Sequence, residues 1–110
     1  MDTNNGTFLP GTLEMLILKT LSASPMHGYG IAEAIRGSSG DALKVGEGSL
    51  YPALQRLLLD DCVTAEWGIS DNKRRARIYT ITPVGREHLA KEKREFDLLV
   101  AGILRVMEAR

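Results

Sequence analysis

Apolar residues dominate the segment from Leu13 to Leu21 and face nearly every direction of a helix. Such a helix must be covered on all sides, either by its own domain or by a partner chain. Thr12 is expected to cap its start. The preceding stretch, residues 1–8, is polar and small, which predicts a flexible N-terminal arm.

A second helix is predicted over roughly residues 29–36, where Ile31 and Ile35 share an apolar face. The sequence GSSG at 37–40 is typical of a loop. Residues 43–45 are expected to form a brief extended segment before a third helix.

The third helix lies in EGSLYPALQRLLLDD, residues 47–61. Ser49 is expected to be its N-cap, which places Pro52 in the first turn, where the missing N–H loses no helical bond. Four leucines at helical spacing form the stripe predicted to be buried: Leu50, Leu54, Leu57 and Leu58. The residues largely outside that stripe are Tyr51, Pro52, Gln55 and Arg56.

After Cys62 the spacing of apolar residues changes from that of a helix to the every-second-residue alternation of a strand. Residues 62–67 and 75–81 are predicted strands, and the polar turn between them makes a hairpin. Thr82 as N-cap and Pro83 at the first helical position then predict a final helix that ends near residue 108.

The predicted order is three helices, two strands and a long helix. This order indicates a fold that is mainly α with a small β-hairpin, a winged helix-turn-helix followed by a C-terminal dimerisation helix. The expected boundaries are 9–82 for the winged-helix DNA-binding domain and 83–110 for the dimerisation helix.

Composition limits the class of protein. A chain of 110 residues with 44% hydrophobic and 25% charged residues favours one globular domain. Its single cysteine, Cys62, cannot form an internal disulfide, and no run of 18 apolar residues is present. We therefore expect a cytoplasmic protein without a membrane partner, in which Cys62 is a small buried residue; a redox role for this thiol stays open.

Charge is distributed unevenly along the chain although its formal net value is zero. Residues 71–94 hold eight Lys or Arg against three Asp or Glu, whereas residues 1–70 hold four against eight. A local basic surplus of this kind is typical of a nucleic-acid contact surface. A solvated charged face remains the alternative at this point.

In a winged helix the third helix enters the major groove and the hairpin lies over the adjacent backbone. Gln55 and Arg56 carry side chains that can bond base edges, and the basic hairpin residues suit phosphates. The predicted DNA-contacting residues are His27, Tyr29, Ser49, Tyr51, Pro52, Gln55, Arg56, Lys73, Arg74, Arg75 and Arg77. The alternatives are that Tyr51 packs against the hairpin, that Gln55 and Arg56 are solvated, and that some hairpin cations pair with Glu66.

Other chemistry is poorly supported. Gly28 and Gly30 lack the preceding strand and the Lys-Ser/Thr pair of a phosphate loop. No histidine or cysteine spacing suits zinc, and no nucleophile–base or paired-carboxylate grouping stands out. We expect neither an enzyme nor a metal or cofactor.

The C-terminal stripe is predicted to meet a second copy of the chain, because three short helices and a hairpin offer little surface to cover it. Folding back onto its own domain is the alternative. Two recognition helices related by a two-fold axis would read half-sites about one helical turn apart. The predicted dimerisation residues are Leu13, Leu16, Ile17, Leu89, Phe96, Leu99, Val100, Ile103 and Met107.

Several segments at matching distances resemble the PadR-like transcriptional regulators: LPGTLEMLILKTL, HGYGIAEAI, GSLYPALQRLLLDD and AEWGISDNKRRARIYTITPVGREHL. The resemblance covers about residues 9–95. The resemblance implies a homodimeric repressor at an inverted-repeat operator, dimerised by the C-terminal region with help from the first helix. A single C-terminal helix is similar to the short subfamily. Some short members stack flat aromatic effectors on a tryptophan of that helix, whereas this chain has Phe96 there.

The predicted function is thus sequence-specific binding of operator DNA by a ligand-responsive repressor whose effector is not named by any residue pattern. An effector would act by changing the angle between the two DNA-binding heads. The alternative from another class is a winged-helix module that binds a protein, with weak DNA binding. A small-molecule sensor acting without DNA is a third possibility.

Overall fold

The computed structural model describes residues 11–70 and 72–110; the predicted N-terminal arm at 1–8 lies outside them. The helices are α1 (Thr12–Leu21), α2 (Gly28–Ser38), α3 (Glu47–Leu59) and α4 (Pro83–Glu108). The strands are β1 (Met26–His27), β2 (Val63–Ile69) and β3 (Arg75–Ile81). The predicted fold class, mainly helical with a small β-hairpin, is confirmed.

The antiparallel sheet has the order β1-β3-β2. The hairpin register runs from Val63 opposite Ile81 to Ile69 opposite Arg75. We call this hairpin, Val63–Ile81, the wing. The two-residue β1 was not predicted, because it is a strand only by virtue of pairing with β3. The extended segment expected at 43–45 is irregular instead and pairs with no described strand.

The core forms around α1, which packs against α2, α3, β3 and α4. Leu13 and Ile17 are only 5% and 0% exposed. The all-round apolar helix is therefore largely covered by its own chain, and little of these two predicted dimer contacts is accessible to a partner. Leu16 is half-buried at the edge of the core.

The start of α1 also differs from the prediction. Gly11 is the N-cap, in a left-handed conformation with φ 84°, and no side chain caps the helix. Thr12 is already the first helical residue, so its hydroxyl cannot cap. At the next element, α2 extends through Ser38 and takes in half of the expected 37–40 loop.

The third helix starts earlier than expected. Gly46, with extended backbone, is its N-cap, and the Leu50 N–H donates to the Gly46 carbonyl at 2.9 Å. Ser49 therefore lies inside the first turn and caps nothing. Pro52 lies within the helix, beyond the first turn, so the predicted position of this proline was wrong. The buried stripe is confirmed for Leu50, Leu54 and Leu57.

The start of α4 follows the prediction. The Thr82 hydroxyl accepts from the Gly85 N–H at 3.0 Å, and Pro83 opens the helix. Thr82 also donates its hydroxyl to the Asp61 carbonyl at 2.6 Å and its N–H to the Cys62 carbonyl at 3.0 Å. These two bonds fasten the start of α4 to the junction of α3 and β2.

Within the described ranges, no helix combines the length and apolar character needed to cross a bilayer.

Candidate nucleic-acid interface

One face of the molecule brings together the start of α2, the exposed side of α3 and the wing. An open cavity of about 360 Å³ lies where the three meet. Six of the predicted DNA-contacting residues line it: His27, Tyr29, Tyr51, Arg74, Arg75 and Arg77. The fold thus gathers residues that are up to fifty positions apart in the sequence.

His27 has a structural task that the sequence reasoning missed. It is the N-cap of α2, and its Nδ1 accepts from the Gly30 N–H at 3.1 Å. In the neutral ring the proton is therefore on Nε2, which remains a donor. The ring of Tyr29 stacks beside His27, with centroids 6.4 Å apart and planes inclined by 15°. The usual N-cap residues are Ser, Thr, Asp and Asn, so the sequence did not indicate that a histidine caps this helix.

Tyr51 joins α3 to α2. A Cβ placed at Gly28 would lie 2.7 Å from the Tyr51 hydroxyl oxygen, so a larger residue there would force the Tyr51 ring to shift. The ring is still partly exposed at the cavity. Burial, and secondarily the charge of Glu47, raise the pKa of Tyr51, which keeps the phenol protonated and able to donate. Tyr51 can therefore pack against α2 and still present its hydroxyl group to a ligand in the cavity.

Gln55 and Arg56 lie on the exposed side of α3, but they differ in what they contact. The Arg56 Nε donates to a carboxylate oxygen of Glu14 on α1 at 2.7 Å. Gln55 makes no side-chain hydrogen bond to any described residue. The structure therefore ties Arg56 to α1 and leaves Gln55 available on the helix surface. Pro52 is exposed beside them, and Ser49 is half-buried.

The wing places Arg75 and Arg77 beside the ring of Trp67. The guanidinium carbon of Arg75 lies 4.6 Å from the centre of the Trp67 ring, and that of Arg77 lies 5.8 Å away. Glu66 pairs across the sheet with Ile78, on the opposite face, which explains why neither arginine forms an ion pair with it. Lys73 is exposed at the wing tip with φ 64°. The contribution of Trp67 was missed because cross-strand register cannot be read from either strand alone.

Two features of the structure bear on metal binding and on thiol reactivity. In the ranges 11–70 and 72–110, no three His, Cys, Asp or Glu side chains gather as a potential metal site. Cys62 is buried, and this burial, with smaller contributions from Asp60 and Asp61, raises the pKa of its thiol. A raised pKa disfavours the reactive thiolate.

The predicted dimerisation residues of α4 divide into two groups. Leu99, Ile103 and Met107 are exposed, whereas Leu89, Phe96 and Val100 are half-buried. An apolar groove of about 220 Å³ runs between α1 and α4, lined in part by Leu16, Leu89 and Phe96. From residue 101 onward every side chain of the chain is exposed.

Comparison with known proteins agrees with this arrangement. A relative of 37.1 kDa from a transposon of Streptomyces fradiae is 43% identical over 79 residues, or 72% of this chain, and the chain spans 21% of its length. A transcriptional regulator of Mycobacterium tuberculosis is 29% identical over 97 residues, covering 88% of this chain and 87% of its own. A solved transcriptional regulator of Clostridium thermocellum superposes with a TM-score of 0.79 at 27% identity, over 86% of this chain and 92% of the other.

The family model for PadR-like transcriptional regulators matches residues 17–91, which include α2, α3, the wing and the first turns of α4. This match covers more than half of the chain and includes every residue of the candidate interface. The protein therefore belongs to the PadR-like family of transcriptional regulators.

Proposed function

We propose that this transcriptional regulator binds operator DNA sequence-specifically as a homodimer in the cytoplasm and represses the genes it controls. The main observation that supports DNA binding is the single face shared by α3, the start of α2 and the wing. That face combines hydrogen-bonding side chains on a helix with clustered arginines. The proposal that it represses transcription rests on the family resemblance.

In this proposal α3 enters the major groove and Gln55 bonds base edges, for which adenine is the preferred partner of glutamine. The wing lies over the neighbouring backbone, where Lys73, Arg74, Arg75 and Arg77 contact phosphates. Phosphate contacts supply affinity but no sequence information. Tyr29, Tyr51 and the Nε2 of His27 add hydrogen-bond donors at the edge of the same surface.

Dimerisation is supported by the exposed apolar side chains on the second half of α4. Leu99 and Ile103 are about half exposed and Met107 more so, although all three are apolar. A two-fold axis through this region would relate two copies of α3 and suit an inverted repeat. We further propose that an effector, at the groove between α1 and α4, shifts the angle between the two heads and so changes operator affinity.

The test is a fluorescence-anisotropy titration with DNA from upstream of the protein's own gene, beside a scrambled duplex, at several salt concentrations. We expect at least about a 10³-fold preference for the native sequence and a steep loss of affinity with salt. Equal and weak binding to native, scrambled and genome-selected fragments would contradict the proposal and favour the protein-binding module.

Two kinds of variant separate the proposed roles. Gln55→Ala should lower the preference for the native sequence by about 1–3 kcal/mol, since it removes a base contact. Arg74→Ala should weaken both duplexes alike and reduce the salt slope by about 0.9. Arg110→Ala removes the same charge at the last residue of the chain and serves as the control. If Gln55→Ala and Arg74→Ala behaved alike, the division into base and phosphate contacts would be wrong.

A further inference from the structure

Trp67 is the single tryptophan of the chain and is 62% exposed, on a strand of the wing. Its cross-strand partner is Arg77, and Arg75 lies two positions further along the same face of β3. Both guanidinium groups approach the indole ring, at 4.6 Å for Arg75 and 5.8 Å for Arg77. A large apolar ring at such a site needs a physical reason.

The pleat of the sheet explains how the ring comes to lie there. At the base of the wing, Val63, Tyr79 and Ile81 point into the core. The same face continues outward past the edge of the core, where it carries Trp67 opposite Arg77 and then Ile69 opposite Arg75. Beyond the core edge, the described contacts that cover the indole face are the two guanidinium groups.

A cation–π contact with an indole has a different consequence from an ion pair. A cation within about 6 Å of the ring centre is attracted by the negative face of the ring. The cation–π contact uses none of the N–H donors of a guanidinium in a hydrogen bond, so the arginine can still present them to a phosphate. A carboxylate partner would instead occupy those donors. The indole can therefore hold two like charges together while their hydrogen-bonding edges stay available.

We propose that Trp67 is a positioning residue of the wing, which holds Arg75 and Arg77 in the orientation that contacts DNA phosphates. The inference rests on the proposed DNA-binding function and adds a residue to it. Long side chains that are restrained before binding lose less rotamer freedom when they bind. Trp67 thus contributes to affinity through the arginines and without its own hydrogen bond to DNA.

The contact between Trp67 and the two arginines can be tested first in the free protein. Because Trp67 is the only tryptophan, intrinsic fluorescence reports on this one ring. Arg75→Ala should expose the indole further and shift its emission to longer wavelength, whereas Arg110→Ala should leave the emission unchanged. An unchanged emission spectrum after Arg75→Ala and after Arg77→Ala would overturn the inference without any reference to DNA.

The DNA test uses Trp67→Leu, which keeps an apolar side chain but removes the aromatic face. We expect about tenfold weaker binding to native and scrambled duplex alike, with the salt slope unchanged because the number of phosphate contacts is unchanged. Trp67→Phe should recover part of the loss. Ile69→Ala, on the same face and strand, should change affinity less than twofold.

A background lacking both Arg75 and Arg77 decides whether Trp67 acts through them. In that background Trp67→Leu should have less than a twofold effect, because the side chains it orients are gone. A tenfold effect in both backgrounds would overturn the positioning role and indicate direct contact between Trp67 and DNA. If the unchanged protein binds DNA while Trp67→Leu has no effect, the positioning role of Trp67 is wrong and the proposed DNA-binding function stands. If the unchanged protein fails to bind DNA, the proposed function fails with it.

Discussion

Gly85 lies in the first turn of α4, where the helix crosses the junction of α3 and β2. A Cβ at this position would overlap the carbonyl oxygen of Cys62 and approach Ile81 at 2.9 Å. The obstacle is backbone, which cannot rotate away as a flexible side chain could. The position therefore requires glycine because of close approach, although its φ is ordinary for a helix.

We predict that Gly85→Ala lowers the free energy of unfolding by about 3 kcal/mol, since α4 must move away from its docking site. Gly37→Ala is the matched control: this helical glycine of α2 has no atom within 4 Å of an added Cβ. The control should gain about 0.5–1 kcal/mol from helix propensity. Urea unfolding measures both variants, and a Gly85→Ala protein that is as stable as Gly37→Ala would refute the docking geometry.

Cys62 should make stability depend on pH in the alkaline range. Burial raises the pKa of the folded thiol above its ordinary value, about 8.5. Below that value both states hold the proton. As pH rises above it, the unfolded chain loses the proton while the folded chain keeps it, so stability falls with rising pH until the folded pKa is reached. We predict that Cys62→Ala flattens this part of the curve, as measured by urea unfolding at pH 7 and near pH 9.5. Equal slopes for the two proteins would contradict the prediction.

Helix caps show which residue-level features could be predicted from the sequence. Thr82 was recognised correctly because its hydroxyl bonds the Gly85 N–H three residues on, a wholly local interaction. The N-cap predicted at Ser49 was wrong because the third helix begins at Glu47, with Gly46 as its N-cap and no capping side chain. Pro52 favoured an N-cap at Ser49, since proline is common in the first turn of a helix.

At the scale of elements, the pair formed by Arg56 and Glu14 connects α3 to α1 across 42 positions of sequence. The Arg56 side chain is 56% exposed, so solvent screening limits what the pair contributes. We predict a coupling of about 0.2–1 kcal/mol in a double-mutant cycle of Glu14→Gln and Arg56→Gln, decreasing at high salt. The local pair of Lys93 and Asp97 on α4 offers a comparison cycle within one helix. A coupling that is independent of salt would contradict this view of the bridge.

The same pair bears on recognition. Because the Nε of Arg56 is engaged with Glu14, Arg56→Ala should change sequence preference less than Gln55→Ala. Sequence periodicity placed both residues outside the buried stripe but could not distinguish them, since the partner comes from another helix. The two-residue β1 was missed for a similar reason: it is defined by its pairing with β3.

At the scale of the whole molecule, the exposed apolar residues of α4 predict a dimer. Ile103→Asp should dissociate it, since a buried unpaired charge is costly in an apolar interface. Leu59→Asp, at the end of α3, is the control; Leu59 is also exposed but lies outside α4. Light scattering after size-exclusion chromatography gives the number of chains. We expect one for Ile103→Asp and two for the control and the unchanged protein, and two in every case would refute the assignment.

The charge pattern was informative at this scale, because four of the eight cations in residues 71–94 lie on the wing or its tip. The surface of α1 was not predictable in the same way. An all-round apolar helix fits either a core or an interface, and only the packed structure shows that Leu13 and Ile17 belong to the core.

The two hydrogen bonds of Thr82 fasten α4 to the end of α3, and this junction has a mechanical consequence. The 26 residues of α4 span about 39 Å at 1.5 Å per residue. A tilt of about 5° at the junction therefore displaces the far end of the helix by roughly 3.4 Å, which equals the spacing of adjacent base pairs. In the proposed dimer, a rotation of a few degrees at this junction would therefore change the separation of the two copies of α3 by about one base-pair step.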